Sequence, residues 1–76
     1  MCKEIGNILY DTATSTVDKK FTYGNPGDAD GYEETLYITG DGKYFIYTNG
    51  GSLSKYPYEN ITPIAREDVK NWMLSR

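Results

Sequence analysis

A chain of 76 residues with a formal net charge of −3 and no histidine is expected to be one domain with a thin core, because a chain this small buries only about 60% of the surface it exposes when unfolded. Without histidine the commonest general base and metal ligand are gone, and the negative charge argues against long-range attraction to nucleic-acid phosphates. The single cysteine, Cys2, precedes any recognisable structure, cannot form an internal disulfide and has no identifiable basic partner, so neither a redox site nor a cysteine nucleophile follows.

Turn-forming clusters at residues 11–15, 24–31, 40–42 and 49–52 divide the chain into strand-length pieces. Residues 8–10 form the first predicted strand and residues 16–23 the second, pairing as an antiparallel hairpin with Val17, Lys19, Phe21 and Tyr23 on one face and Lys20 on the other. Residues 33–39 and 43–48 form the next pair. A two-residue loop at Asp41-Gly42 sets Ile38 opposite Phe45 and Leu36 opposite Tyr47, leaving Tyr37, Tyr44 and Ile46 behind. A three-residue loop over 40–42 shifts the register by one, gathering Leu36, Ile38, Tyr44 and Ile46 on one face and Tyr37, Phe45 and Tyr47 on the other.

Near the C-terminus Ala65, Val69, Trp72 and Met73 recur at helical spacing, with Pro63 before them, Glu67 and Asp68 in the first turn and Arg76 in the last. The expected class is α+β: a small antiparallel β-sheet of about four strands with one C-terminal helix packed on one face. Val69, Trp72 and Met73 should cover the sheet face bearing Leu36 and Ile38.

One helix covers one face. The opposite aromatic face, with Tyr56 and Tyr58 beyond the Gly50-Gly51 turn, has no evident cover and is the candidate partner surface. Tyr37, Tyr44, Tyr47, Tyr56 and Tyr58 are the expected contacts, and Asp28, Asp30, Glu33 and Glu34 would meet a basic surface on the partner. The ordinary alternative is that tyrosines pack against one another and against lysine stems across the sheet.

Other motifs dissolve on inspection. Aligning Gly31 with the glycine of a calcium loop puts Pro26 at the first ligand position and Tyr37 at the last, where a glutamate is needed. Gly40-Asp41-Gly42-Lys43 lacks the serine or threonine and the first glycine of a phosphate-binding loop, and a hairpin turn accounts for it. Asn60-Ile61-Thr62 matches a glycosylation acceptor, but Pro63 follows it and no secretion signal precedes it. The basic residues are scattered, which disfavours direct nucleic-acid binding. No cofactor, metal or catalytic residue is expected. With no apolar run of signal-peptide or membrane-spanning length, the expected location is the cytoplasm of a bacterial host.

The order Tyr10-Asp11-Thr12, Glu34-Thr35-Leu36-Tyr37, Gly42-Lys43-Tyr44-Phe45, Gly50-Gly51, Ser54-Lys55-Tyr56, Ile61-Thr62-Pro63-Ile64 and Trp72 spans most of the chain. It resembles a family of small proteins, without assigned enzyme activity, carried on phages, plasmids and integrative elements of Gram-positive bacteria. The chain departs from that pattern in the short segment Pro57-Tyr58-Glu59-Asn60, where relatives carry a longer Gly/Ser-rich insertion, and in Ala65, where they place a helix-capping hydroxyl worth about 1 kcal/mol. The resemblance implies a non-catalytic protein-binding module, an anti-CRISPR-like inhibitor of a host defence system whose partner is a CRISPR effector or other defence nuclease. The alternative is a self-associating accessory protein of a phage or plasmid, acting as a homodimer.

Overall fold

In the computed structural model, which describes residues 1–24 and 28–75, turn chemistry sets the first hairpin. Gly6 and Asn7 both have positive φ, 58° and 65°, as a two-residue type I′ turn requires. They join strand β1 (Cys2–Ile5) to β2 (Ile8–Asp11), with Ile5 opposite Ile8 and Lys3 opposite Tyr10. Cys2 therefore lies within a strand, and residues 8–10 pair with β1 rather than with residues 16–23. Closing the hairpin locally costs less loop entropy than the pairing predicted across residues 11–15.

The remaining strands, β3 (Thr16–Tyr23), β4 (Tyr32–Ile38), β5 (Tyr44–Gly50) and β6 (Asn60–Ile64), form a four-stranded antiparallel sheet in the order β3-β4-β5-β6. Between β4 and β5 the chain takes the three-residue loop: Thr39 N donates to Lys43 O at 2.8 Å, Gly42 N to Thr39 O at 3.0 Å, and Gly42 has φ 81°. A left-handed glycine in the last loop position is the G1-bulge arrangement. Leu36 thus faces Ile46, Ile38 faces Tyr44, and Tyr37 faces Phe45.

A bulge between Val17 and Lys19 shifts the β3 register, so Val17 pairs with Tyr37 while Lys19, Phe21 and Tyr23 pair with Leu36, Glu34 and Tyr32. Val17 therefore lies on the opposite face from Phe21 and Tyr23, contrary to strict alternation.

The helix is shorter than its stripe suggests. A 3-10 turn (Arg66–Asp68) leads into α1 (Val69–Leu74), and no side chain caps either. Ala65 is extended and exposed, before the first turn, whereas Val69, Trp72 and Met73 are half-buried. Arg76 and Pro26, named in the sequence reading, lie outside the described residues. Phe21 meets the edge of Trp72 at 5.4 Å, which places the helix on the Leu36 face as expected.

The opposite face is not bare. The β1-β2 hairpin lies over it, with Tyr10 edge-on to Phe45 at 5.5 Å and Tyr37 stacked on Phe45 at 5.1 Å. Tyr10, Phe45 and Ile61 form the buried cluster on this side, flanked by Ile5, Ile8, Tyr37 and Tyr47. Hairpin, sheet and helix make three layers, and the expected uncovered aromatic face is a core. A four-residue strand with three polar or small side chains in Cys2-Lys3-Glu4 carries little apolar signal of this role.

Candidate functional site

Among the described residues, the two most exposed large apolar side chains lie elsewhere, on the connection between β5 and β6. Leu53 is 78% and Tyr58 83% exposed. This segment is held by its backbone: Gly51 N donates to Gly31 O and Leu53 N to Ala29 O, both at 2.9 Å, and Ser54 N to Gly51 O at 3.0 Å. Ser54 Oγ donates to Gly51 O at 2.7 Å and accepts from Tyr56 N at 3.2 Å.

Gly50-Gly51 is what lets the two turns meet. A Cβ on Gly51 would stand 2.6 Å from the Ala29 carbonyl carbon and 2.7 Å from Asp28 O, and one on Gly50 would stand 2.7 Å from Tyr32 Cβ. Segments 28–31 and 51–56 are thereby joined into one end of the molecule. Rings extend the junction: Tyr23 stacks on Tyr32 at 4.5 Å, Tyr32 meets Tyr56 edge-on at 5.4 Å, and Lys55 Nζ lies 5.5 Å from the Tyr56 centroid.

Beyond Tyr56 a groove of about 440 Å³ opens on the helix side of the sheet. Tyr56, Pro57, Tyr58 and Trp72 are among its walls, Ile46 and Glu34 among its deeper lining. A second cleft, about 630 Å³, abuts it where Tyr32 meets Tyr56 and is lined largely by turn glycines and polar side chains such as Asp28, Asn49 and Ser52. The groove is the more apolar in side chains and carries the aromatic walls typical of ligand sites.

The residues singled out from sequence separate into groups. Tyr56, Tyr58, Asp28 and Asp30 lie on the joined turns, the first half-buried and the other three exposed. Tyr37 and Tyr47 are half-buried on the hairpin side, and Tyr44 lies on the helix side at the other end of β5, opposite Ile38 and Ile64. Glu33 and Glu34, adjacent on a strand, point to opposite faces. Glu33 pairs with Lys20 at 3.3 Å, and Glu34 is 2% exposed, so it cannot form the surface contact expected of it. The nine residues are not one surface.

Tyr47 has a different part. Its hydroxyl donates to Glu59 Oε2 at 3.0 Å, and burial, then that hydrogen bond, push its pKa up to about 12. The phenol stays neutral and ties β5 to the segment preceding β6. Leu53, Pro57, Glu59 and Trp72 are site residues the sequence reading passed over. Leu53 could have been noticed as an isolated large apolar residue inside a Gly/Ser turn cluster.

Among the described residues no group of three or more acidic or cysteine side chains is arranged to hold a metal ion, and no helix is long and apolar enough to cross a membrane. Compared with protein-family models, curated proteins and solved structures, the chain finds no match.

Proposed function

We propose that the protein is a non-catalytic protein-binding module whose contact surface is the groove and the 51–59 segment that frames it. One observation carries this reading: Leu53 and Tyr58 stand 78% and 83% exposed on a segment whose backbone is hydrogen-bonded to a second turn. Large apolar side chains held in water by ordered backbone lose little conformational freedom on binding. Exposed Asp28, Asp30 and Glu59 give the same end an acidic rim suited to a basic partner. A carboxylate-rich rim would suit the nucleic-acid-binding surface of a host defence nuclease, such as a CRISPR effector, the partner class that the resemblance to mobile-element proteins implies.

The test is capture by the tagged protein from a Gram-positive host lysate, followed by reconstitution with the purified partner. A double variant, Leu53→Ser with Tyr58→Ala, is the control. Capture of a defence nuclease by the parent chain but not by an equally stable variant supports the proposal. Equal capture by both removes this surface from consideration, and a concentration-dependent dimer that the variant dissolves would assign the surface to self-association.

A further inference from the structure

We propose that the cleft at the end of the sheet where β5 begins and β6 ends binds a phosphate monoester carried on a flat, ring-sized organic group. The cleft measures about 400 Å³ and shares no lining residue with the groove beside Trp72. Tyr44 pairs with Ile64, which brings Lys43 and Arg66 to the same end of the sheet. Ile8 and Tyr10 of β2 close the cleft from the hairpin side.

Charge separates this cleft from the other two. The glycine-lined cleft carries Asp28 and Glu33 without a base, and the groove mixes Glu34 and Glu59 with Lys55, whereas here Lys43 and Arg66 line the walls with no acid. Lys3, Lys20 and Lys55 are engaged by Asn60, Glu33 and Tyr56. Among the described residues, Lys43 and Arg66 form no ion pair and no side-chain hydrogen bond. Their acidic neighbours in sequence, Asp41, Glu67 and Asp68, are exposed and do not line the cleft, and the net charge of −3 acts on it through screening solvent.

A buried tyrosine is the second observation. Tyr10 is 6% exposed and is held by its edge contact with Phe45, yet its hydroxyl has no hydrogen-bond partner among the described residues. No fully buried side-chain oxygen among them is left unpaired, so the exposure that Tyr10 retains includes its hydroxyl. Of the three clefts, this is the one that Tyr10 lines. A rigid ring thus presents an O–H donor to the cavity that also holds the two bases.

The donor set selects the ligand. A phosphate monoester carries about −1.5 to −2 charge at neutral pH and three acceptor oxygens, which match a forked guanidinium, an ammonium point charge and a hydroxyl. A carboxylate or a phosphodiester carries a single charge and leaves one base unmatched. Half-buried Tyr44, with Pro63 and Ile64, gives the cleft an apolar side for the organic part.

Backbone amide shifts of the isotope-labelled full chain read occupancy. Phenyl phosphate is the probe, compared with methyl phenyl phosphate, benzoate and inorganic phosphate. The expected result is a saturable shift of Gly42, Lys43 and Ala65, with affinity ~10-fold lower for the singly charged methyl ester and for benzoate, and inorganic phosphate also weaker than phenyl phosphate. Lys43→Gln with Arg66→Gln, both at exposed positions, should abolish the response, and Tyr10→Phe, which keeps the ring, should weaken it ~5-fold. Leu53→Ser with Tyr58→Ala should leave it unchanged, so this site is tested independently of the protein-binding surface. No saturable shift at millimolar phenyl phosphate, equal affinity for its methyl ester or for inorganic phosphate, or a response retained in the double glutamine variant overturns the proposal.

Discussion

Replacing Gly51 by alanine tests the junction on which the candidate site is built. The added Cβ would meet the backbone of the facing turn, 2.6 Å from the Ala29 carbonyl carbon and 2.7 Å from Asp28 O, so neither contact can be relieved by rotating a flexible side chain. The turns must separate, straining or breaking the hydrogen bonds from Gly51 N to Gly31 O and from Leu53 N to Ala29 O. Overpacking costs about 1–3 kcal/mol, and a lost backbone hydrogen bond about 1 kcal/mol, giving ~2–4 kcal/mol for the substitution. A domain of this length has roughly 4–11 kcal/mol of total stability. Urea unfolding followed by Trp72 fluorescence should show the midpoint falling with little change in slope. Gly40→Ala is the control, since its Cβ would meet nothing within 4 Å and its φ is not positive. Gly42→Ala, in equally open space but at φ 81°, should cost only the left-handed penalty of about 1–2 kcal/mol. A Gly51→Ala protein within about 0.5 kcal/mol of the parent, the scatter of ordinary surface substitutions, would refute the close packing of the two turns.

Phe45→Ala removes a fully buried ring that touches both Tyr10 and Tyr37, and should cost about 3–5 kcal/mol by urea unfolding. Tyr58→Ala, at a position 83% exposed, should shift stability by no more than about 0.5 kcal/mol, although together with Leu53→Ser it is expected to abolish partner capture. Tyr47 sets an alkaline limit: its folded pKa, about 12, exceeds the ordinary tyrosine value of 10.0, so the contribution is fully present below the unfolded pKa and is lost as pH rises from about 10 through about 12. The full shift corresponds to ~2.7 kcal/mol at most, and solvent screening of a half-exposed side chain brings the expected loss nearer ~1 kcal/mol. Tyr47→Phe should flatten that part of the stability–pH curve, and an unchanged difference between the proteins from about pH 9 to about pH 11.5 would contradict the assignment.

The turn at residues 40–42 was legible down to a pair of registers, because Asp41-Gly42 suits a two-residue loop and Gly42 equally suits the left-handed end of a three-residue one. The pairing of Leu36 with Ile46 and of Ile38 with Tyr44 selects the latter. The helix stripe correctly indicated which sheet face Trp72 approaches, but not that the first turn is 3-10 and only Val69–Leu74 is α-helical. The β1-β2 hairpin was not legible as a layer, since β1 offers only Ile5 to the flank of the core and Tyr10 alone is buried from β2. Missing that layer is what made the Tyr37–Phe45–Tyr47 face look open. The split between Glu33 and Glu34, by contrast, follows from strand alternation alone. Contact between segments 28–31 and 51–54 is non-local; its trace in the sequence, Gly50-Gly51, reads as turn chemistry when it is also close packing.

The layers on the sheet's two faces differ in how far packing and recognition can be separated. On the hairpin side Phe45 and Ile61 are almost wholly excluded from water and Tyr10 nearly so, so substitution there perturbs the fold before it can report on binding. On the helix side Leu36 is fully buried beneath the sheet surface, yet the helix that approaches it spans six residues and buries none of them. Such a short helix cannot roof a four-stranded sheet, and the strip left between Trp72 and the 55–60 segment is the groove. Ala65 gives the helix start no side-chain cap, and only residues 57–59 run between Tyr56 and β6, so little chain is there to fold over the opening. The groove is therefore a consequence of how little chain is available for a second roof, and its walls can be altered at Tyr58 without touching the hairpin-side core that carries much of the buried apolar surface.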